Sequence, residues 1–243
     1  MRIERHSGGR LPEQLLESLR GAVLYEDEQT LVVDKPVGMA VHAGTGLGGG
    51  IIDGLRTIRP DIRGLELVHR LDRGTSGCLL LAKGRQALVR LQDELRAGAF
   101  EKVYRAVLLG EWDRREATVR VPLRKNVLSS GERMVRTDAA GKSAVSHFRR
   151  LAVGHGVTLV EVRIETGRTH QIRVHAAYLG HPVVGDPKYG DLARERTVLG
   201  HRAGRMYLHA ARLGFTGADG PVTVDSPVPA AFAELVADEG DDA

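Results

Sequence analysis

One short stretch constrains this chain more than any other. Cys78-Leu79-Leu80-Leu81-Ala82 is an unbroken apolar run, closed by Gly77 on one side and by Lys83-Gly84 on the other. A run of that length between turn residues reads as a buried strand. Immediately before it stands His69-Arg70-Leu71-Asp72-Arg73-Gly74-Thr75-Ser76. This Gly-punctuated turn gathers a carboxylate, two guanidiniums, an imidazole and two hydroxyls. A carboxylate flanked by cations keeps its ionised form favoured, so Asp72 is available as a nucleophile or a base. The plain alternative is a salt-bridged turn ahead of a core strand, because most ion-pair clusters are structural.

The 243 residues fit one substantial domain or a domain with appendages. We divide them into a lead-in segment over 1–24, a main domain over 25–230 and an acidic tail over 231–243. Those last thirteen residues hold five acids and no Lys or Arg, so the formal charge of +4 conceals +9 on the rest of the chain. A basic body suits a phosphate-rich partner. Aromatic residues make up only 4%, which disfavours a binder of single strands built on stacking platforms. No apolar run approaches membrane-spanning length, and Met1-Arg2-Ile3-Glu4-Arg5-His6 does not open a secretory signal. Cys78 is the only cysteine, so no intrachain disulfide can form. The expectation is a cytoplasmic protein, monomeric by default.

Along the chain, Pro12 can open a short helix with Leu15, Leu16 and Leu19 on one side. Thr30 to Val33 reads as a strand ended by Asp34-Lys35-Pro36-Val37-Gly38. Gln86 to Arg96 reads as an amphipathic helix with Leu88, Leu91 and Leu95 on one face and Gly98 at its stop. Lys102 to Leu109 and Val157 to Thr166 are strand candidates. Residues 113–142 are charged and Gly-interrupted, a solvated loop or hairpin pair, a phosphate-contacting surface, or both. From Gly167 to Leu179 the pattern suits a helix with Ile172, Ala176 and Leu179 facing the core. Periodicity by itself supports only a mixture of α and β.

Two motifs invite cofactor or metal readings. Gly44-Thr45-Gly46-Leu47-Gly48-Gly49 satisfies G-x-G-x-x-G, with Glu66 placed like a ribose-binding acid. A dinucleotide site needs its first glycine directly after a strand, and Pro36, Gly38 and His42 intervene. His170 and His175 lie five apart, not at the i, i+4 spacing of a zinc-binding helix. The expectation is no cofactor and no metal.

The string His69-Arg70-Leu71-Asp72-x-x-Thr75-Ser76-Gly77 resembles the catalytic motif of the RluA-like pseudouridine synthases. Lys102-x-Tyr104-x-Ala106 is similar to that family's second motif, and Arg168-Thr169-His170-Gln171-Ile172-Arg173 to its third. The resemblance covers roughly residues 23 to 230, with the three motifs in order; several independent motifs lower the false-positive risk of any one. Among family branches the chain is most similar to the C-type, which acts on large-subunit ribosomal RNA. Val41-His42-Ala43-Gly44-Thr45-Gly46-Leu47, Leu65-Glu66-Leu67-Val68, Leu123-Arg124-Lys125-Asn126 and Ser130-Gly131-Glu132-Arg133 carry that similarity. Such relatives usually place a small S4-like RNA-binding domain ahead of the catalytic one, and this chain starts near the point where that domain would end.

The resemblance implies an α+β fold: a mixed, largely antiparallel sheet flanked by helices, with an RNA-binding cleft across it. It implies isomerisation of uridine to pseudouridine in RNA without a cofactor. Asp72 would be the essential residue, acting at C1′ or on the C2′ proton. Tyr104 would lie over the target base, and Arg173 would pair with Asp72. Arg70 would enter the gap left by the flipped base, and His69, Arg168, His170, Lys125 and Arg124 would complete the RNA-contacting set. The segment from Gly180 to Gly190 and Tyr207-Leu208-His209-Ala210 would frame the pocket. The rivals are a cofactor-dependent oxidoreductase, resting on Gly44 to Gly49, and a non-catalytic RNA-binding domain, resting on charge.

Overall fold

In the computed structural model, which describes residues 13–42, 49–127, 133–201 and 203–237, the apolar run lies within strand β4 (Ser76–Lys83), buried along its length as far as Ala82. Side chains alternate across a strand, and here the alternation divides β4 between two cores. Leu79 and Leu81 pack with Leu31, Val33, Ile51 and Leu55. Cys78, Leu80 and Ala82 pack on the other face with Val32, Leu88, Leu91 and Phe100. Full burial of each leucine contributes roughly 1.5–3 kcal/mol, which is why this run dictates the interior.

β4 belongs to a ten-stranded sheet. Its order is β1 (Val23–Glu26), β2 (Thr30–Lys35), β4, β11 (Leu208–Thr216), β5 (Glu101–Leu109), β10 (Val157–Ile164), β9 (Ser146–Gly154) and β6 (Glu116–Val119). Two further strands attach to this path: β3 (Leu65–Leu67) to β4 and β12 (Pro221–Asp225) to β11. Every pairing is antiparallel except β4 with β11, where His209 faces Ser76 and Ala210 faces Gly77. This seam permits no side chain at Gly77. Its φ is +105°, and a Cβ there would sit 2.2 Å from the carbonyl oxygen of Ala210.

Helices α2 (Ile51–Ile58) and α3 (Arg85–Arg96) cover opposite faces of this half. Helix α4 (Gln171–Tyr178) lays Ile172 and Ala176 on a core with Phe148, Val160 and Val162, with Leu179 beside them. Residues 113–142 hold β6 and a separate ribbon, β7 (Leu123–Val127) with β8 (Arg133–Thr137). Leu123 and Val135 fasten that ribbon onto Val174 of α4 and onto Tyr189.

Packing continues past both expected domain edges. Leu16 and Leu19 of α1 (Glu13–Arg20) are buried, and β1 runs through position 24, so the body includes 13–24. Helix α6 (Ala231–Glu234) and the turn after it bury Phe232 and Val236 against Val107, Leu109, Val157 and Val184. Phe232 and Val236 are therefore core, although Ala233, Glu234 and Ala237 are exposed, and residues 238–243 lie outside those described. The glycines Gly44 to Gly48 are outside them as well. β2 ends at Lys35 and α2 starts at Ile51, which hydrogen-bonds to Ala40, and none of the described residues 36–42 is in a strand.

Candidate active site

The Asp72 turn is held from below before its side chain meets any partner. Leu71 is buried in the core beneath it, and the N–H of Thr75 donates to the carbonyl of Asp72 at 3.0 Å. The fully buried Lys35 donates through Nζ to the carbonyls of Pro36 (2.9 Å), Met39 (2.8 Å) and Arg73 (3.3 Å). Gly38 N–H donates to Arg73 O at 2.8 Å, and Arg73 Nε returns a bond to Gly38 O at 2.7 Å. Burial pulls the Lys35 pKa down to about 8, against the opposing charges of Asp72 and Asp34. Three carbonyls and two nearby carboxylates are what a buried ammonium requires, and together they stitch the residue after Asp72 to the loop following β2.

The Asp72 carboxylate meets Arg173, which projects from the start of α4. Nη1 of Arg173 donates to Oδ2 of Asp72 at 2.9 Å, while Nε and Nη2 each donate to one oxygen of Asp186 at 2.7 Å. The Arg173 and Asp186 side chains are 6% and 0% exposed, against 26% for Asp72. Burial opposes the charge on Asp186, but the Arg173 fork and the N–H groups of Lys188 and Tyr189 outweigh it and hold its pKa below the usual carboxylate range. The Arg173 guanidinium also lies 5.1 Å from the centre of the Tyr189 ring.

His170 caps α4 in a left-handed conformation, φ +54°. Its Nδ1 is 2.8 Å from the Tyr189 hydroxyl, and its Nε2 is 3.7 Å from Oδ1 of Asp72. The hydroxyl in turn accepts the N–H of Val135 at 2.9 Å, which ties the β7–β8 ribbon to the site. Burial lowers the His170 pKa more than Asp72 raises it, favouring the neutral ring. A Tyr189 hydroxyl that donates to Nδ1 leaves the ring proton on Nε2, facing Asp72.

Tyr104 comes from β5, packed between the two cores on either side of the cleft. Burial, then the charge of Asp72, pushes its phenol well above the ordinary range. Asp72, Tyr104, Arg173, Ile164, Ile172 and Leu208 share one cleft of about 740 Å³.

The cleft also brings together His69, Arg70, Arg168, His170 and Lys125. Arg124 is not brought there; it neighbours Lys125 on β7, where adjacent side chains point to opposite faces, and it lies 3.7 Å from Asp138. Arg70 is exposed. His69 accepts the N–H of Leu80 through Nε2 at 3.1 Å, and burial, then the charge of Lys102, lowers its pKa to about 4. Its ring is thus spent on the edge of β4. Arg168 donates from Nε to Ser143 O at 2.9 Å. Sequence reasoning passed over Asp186, Tyr189 and Lys35. The first two sit in the segment read only as a frame, and Gly185-Asp186-Pro187-Lys188-Tyr189-Gly190 offers no periodicity to separate a buried carboxylate from a turn residue.

Comparison with known proteins bears on what this arrangement serves. The family described as RNA pseudouridylate synthase has a model that matches residues 29–178. The chain belongs to this family. The ribosomal large subunit pseudouridine synthase C of Escherichia coli (strain K12) is 48% identical over 205 residues, which are 84% of this chain and 64% of that protein. Its Salmonella typhi counterpart is 46% identical over 219 residues, 88% of this chain and 69% of that one. This family member thus spans 64% of the length of the Escherichia coli relative. Among solved structures, human RNA pseudouridylate synthase domain containing 1 superposes with a TM-score of 0.75 at 28% identity, covering 88% of this chain and 85% of its own. Human RNA pseudouridylate synthase domain containing 4 gives 0.74 at 25%, covering 90% and 93%. The α+β fold with its largely antiparallel sheet is the family's. Among the described residues no helix is long and apolar enough to cross a membrane, and no cluster of His, Cys, Asp and Glu could hold a metal ion.

Proposed function

We propose that this chain is an RNA pseudouridine synthase that isomerises uridines of large-subunit ribosomal RNA. The observation that carries the reading is the Asp72 carboxylate, anchored through Arg173 to the buried Asp186 in the cleft that Tyr104 lines. The reaction breaks the N1–C1′ bond of the uridine, turns the uracil and rejoins it through C5. The target base must leave its stack, at a cost of roughly a few kcal/mol. Exposed Arg70 at the cleft suits a side chain that fills the vacated space. Asp72 acts at C1′ or on the C2′ proton; Oδ2 is held by Arg173, so Oδ1 is the oxygen left to react. Arg173 positions it, and Tyr104 lies against the uracil. Lys125 and Arg168 are suited to phosphate, a sequence-independent contact.

The choice of large-subunit ribosomal RNA follows the names of the relatives; transfer RNA is the second substrate to test. The catalytic body is residues 25–230 extended by 13–24 and 231–237, acting in the cytoplasm as a monomer. The experiment is tritium release from RNA labelled at uracil C5, with wild type beside Asp72→Asn on free large-subunit ribosomal RNA. Release by wild type and none by Asp72→Asn, with RNA binding intact, is the expected result. Release from transfer RNA alone would move the substrate and keep the reaction. Equal release by the two proteins would end the assignment of Asp72.

A further inference from the structure

Two lysines of this chain are buried, and the fold treats them differently. Lys35 is fully caged by the three carbonyls described above. Lys102, 7% exposed, has a single partner, the carbonyl of Glu165, at 3.5 Å from its Nζ. Among the described residues no carboxylate comes within ion-pair distance of it. The Glu165 carboxylate is turned toward His147, 2.7 Å away. What does face Lys102 is cationic or neutral: Arg168, whose charge adds to burial in lowering the Lys102 pKa, and the His69 ring, which is kept uncharged. A buried ammonium is costly unless paired, and this one is left with open donors.

Its place in the fold explains where those donors point. Lys102 precedes Tyr104 by two residues on β5, so the two side chains share a face of the strand, and both line the cleft. The alternation makes Lys102 a neighbour of the base site, about two strand rises from Tyr104, with the charge of Arg168 nearby.

We infer that Lys102 is an RNA phosphate site: its ammonium takes the backbone phosphate next to the nucleotide seated against Tyr104, and that phosphate is its missing counter-ion. The inference rests on the cleft binding RNA, as proposed above. It differs from the roles of Lys125 and Arg168, which are exposed and hydrated when the cleft is empty. Lys102 has been desolvated in advance, so binding costs little further loss of hydration.

The test uses Lys102→Met, which keeps length and removes charge, with Lys102→Arg as the conservative partner. Binding of labelled free large-subunit ribosomal RNA is measured by filter retention across a salt series, which requires no turnover. Loss of one phosphate contact lowers the slope of log affinity against log salt by about 0.7–1. The expected result for Lys102→Met is that reduction, with about tenfold weaker binding at physiological salt and a melting temperature no lower than wild type, since an unpaired buried charge has gone. Lys102→Arg retains the slope. Weaker binding with an unchanged slope would mean a base carbonyl as partner and would overturn the phosphate site. A lowered melting temperature with unchanged binding would make Lys102 structural and overturn it too. A wild type that binds RNA but releases no tritium, with the slope still reduced in Lys102→Met, would keep this inference while removing the proposed reaction. A wild type that binds no RNA would end both.

Discussion

Arg173 and Asp186 form a buried bidentate pair, and the position of Asp72 depends on it. With Nε and Nη2 each giving a hydrogen to Asp186, Nη1 is the nitrogen that reaches Asp72, and its direction is fixed by the planar guanidinium. Lysine keeps the charge but has no fork, and one ammonium cannot serve both carboxylates in this geometry. Arg173→Lys is therefore expected to lower single-turnover tritium release by 100-fold or more while RNA binding changes little. A loss of less than threefold would show that Asp72 does not need the pair.

Asp186→Asn breaks the same pair from the other side. Removing one partner of a buried ion pair costs about 3–5 kcal/mol, and the Asp72 contact left to Arg173 places this case near the lower end. The native pKa of Asp186 is held down, so its stabilisation is complete above the unfolded carboxylate value near 3.9 and is lost as pH falls through the lower native value. Urea unfolding of Asp186→Asn should give a lower midpoint at pH 7 and a shallower loss of stability below pH 4 than wild type. Parallel acid limbs in the two proteins would mean that Asp186 is not the group responsible.

The grouping of Asp72, Tyr104 and Arg173 in one cleft was legible in the sequence because the three lie in short contiguous strings. Asp72 sits in a turn whose charge density is unusual, and Tyr104 and Arg173 fall on elements whose periodicity is plain. The apolar run of β4 and the helical spacing of α3 and α4 were readable for the same reason. Asp186 was not, because its role arises from a contact with a residue thirteen positions away and no local pattern marks it. β9 escaped because Ser146-His147-Phe148-Arg149-Arg150 is a half-exposed strand, and charges interrupt its alternation. β11 was seen only as a family segment; Ala210, Ala211 and Gly214 are the small residues that a crowded central strand needs, and small residues carry little strand preference. The packing of Phe232 and Val236 was hidden by the acids around them.

Gly77 is the point where the Asp72 turn enters the sheet, and it should tolerate no substitution. Gly77→Ala would place a Cβ against the backbone of Ala210, where no flexible side chain can yield, at a φ that L-residues rarely adopt. Strain of this type costs about 1–3 kcal/mol, and the clash at the β4–β11 seam adds overpacking of about the same size. Thermal unfolding should show a large fall in melting temperature or no folded protein. A melting temperature within a degree or two of wild type would show that the two strands can separate cheaply.

His69 offers a test through pH. Its native pKa of about 4 lies below the ordinary 6.5, so the unfolded chain takes up a proton first as pH falls. The stability it lends is complete above pH 6.5 and drains away between 6.5 and 4, up to about 3 kcal/mol at 1.36 kcal/mol per pKa unit. His69→Gln, which removes that titration, should lose about 1 kcal/mol at pH 7 with the Leu80 bond weakened and should run flatter than wild type across this window. His175 and His209 are also lowered by burial and act in both proteins alike, so the difference curve isolates His69. A difference curve with no slope between pH 6.5 and 4 would place its ring in water.

Tyr104 bears on how the C5 proton leaves. Burial, then the charge of Asp72, raises its pKa above the ordinary 10, so the phenol stays protonated at any pH where RNA survives an assay. A phenolate base would make the single-turnover rate climb tenfold per pH unit toward 10. A neutral phenol, packed between the two cores and offering one donor to the uracil, would leave it flat. We expect tritium release to be level from pH 7.5 to 9.5 in wild type. Tyr104→Phe should be slower by a factor independent of pH across that range, with RNA binding retained because the ring still packs. A tenfold-per-unit rise in wild type that disappears in Tyr104→Phe would make the ionised tyrosine the base and reverse the reading of its burial.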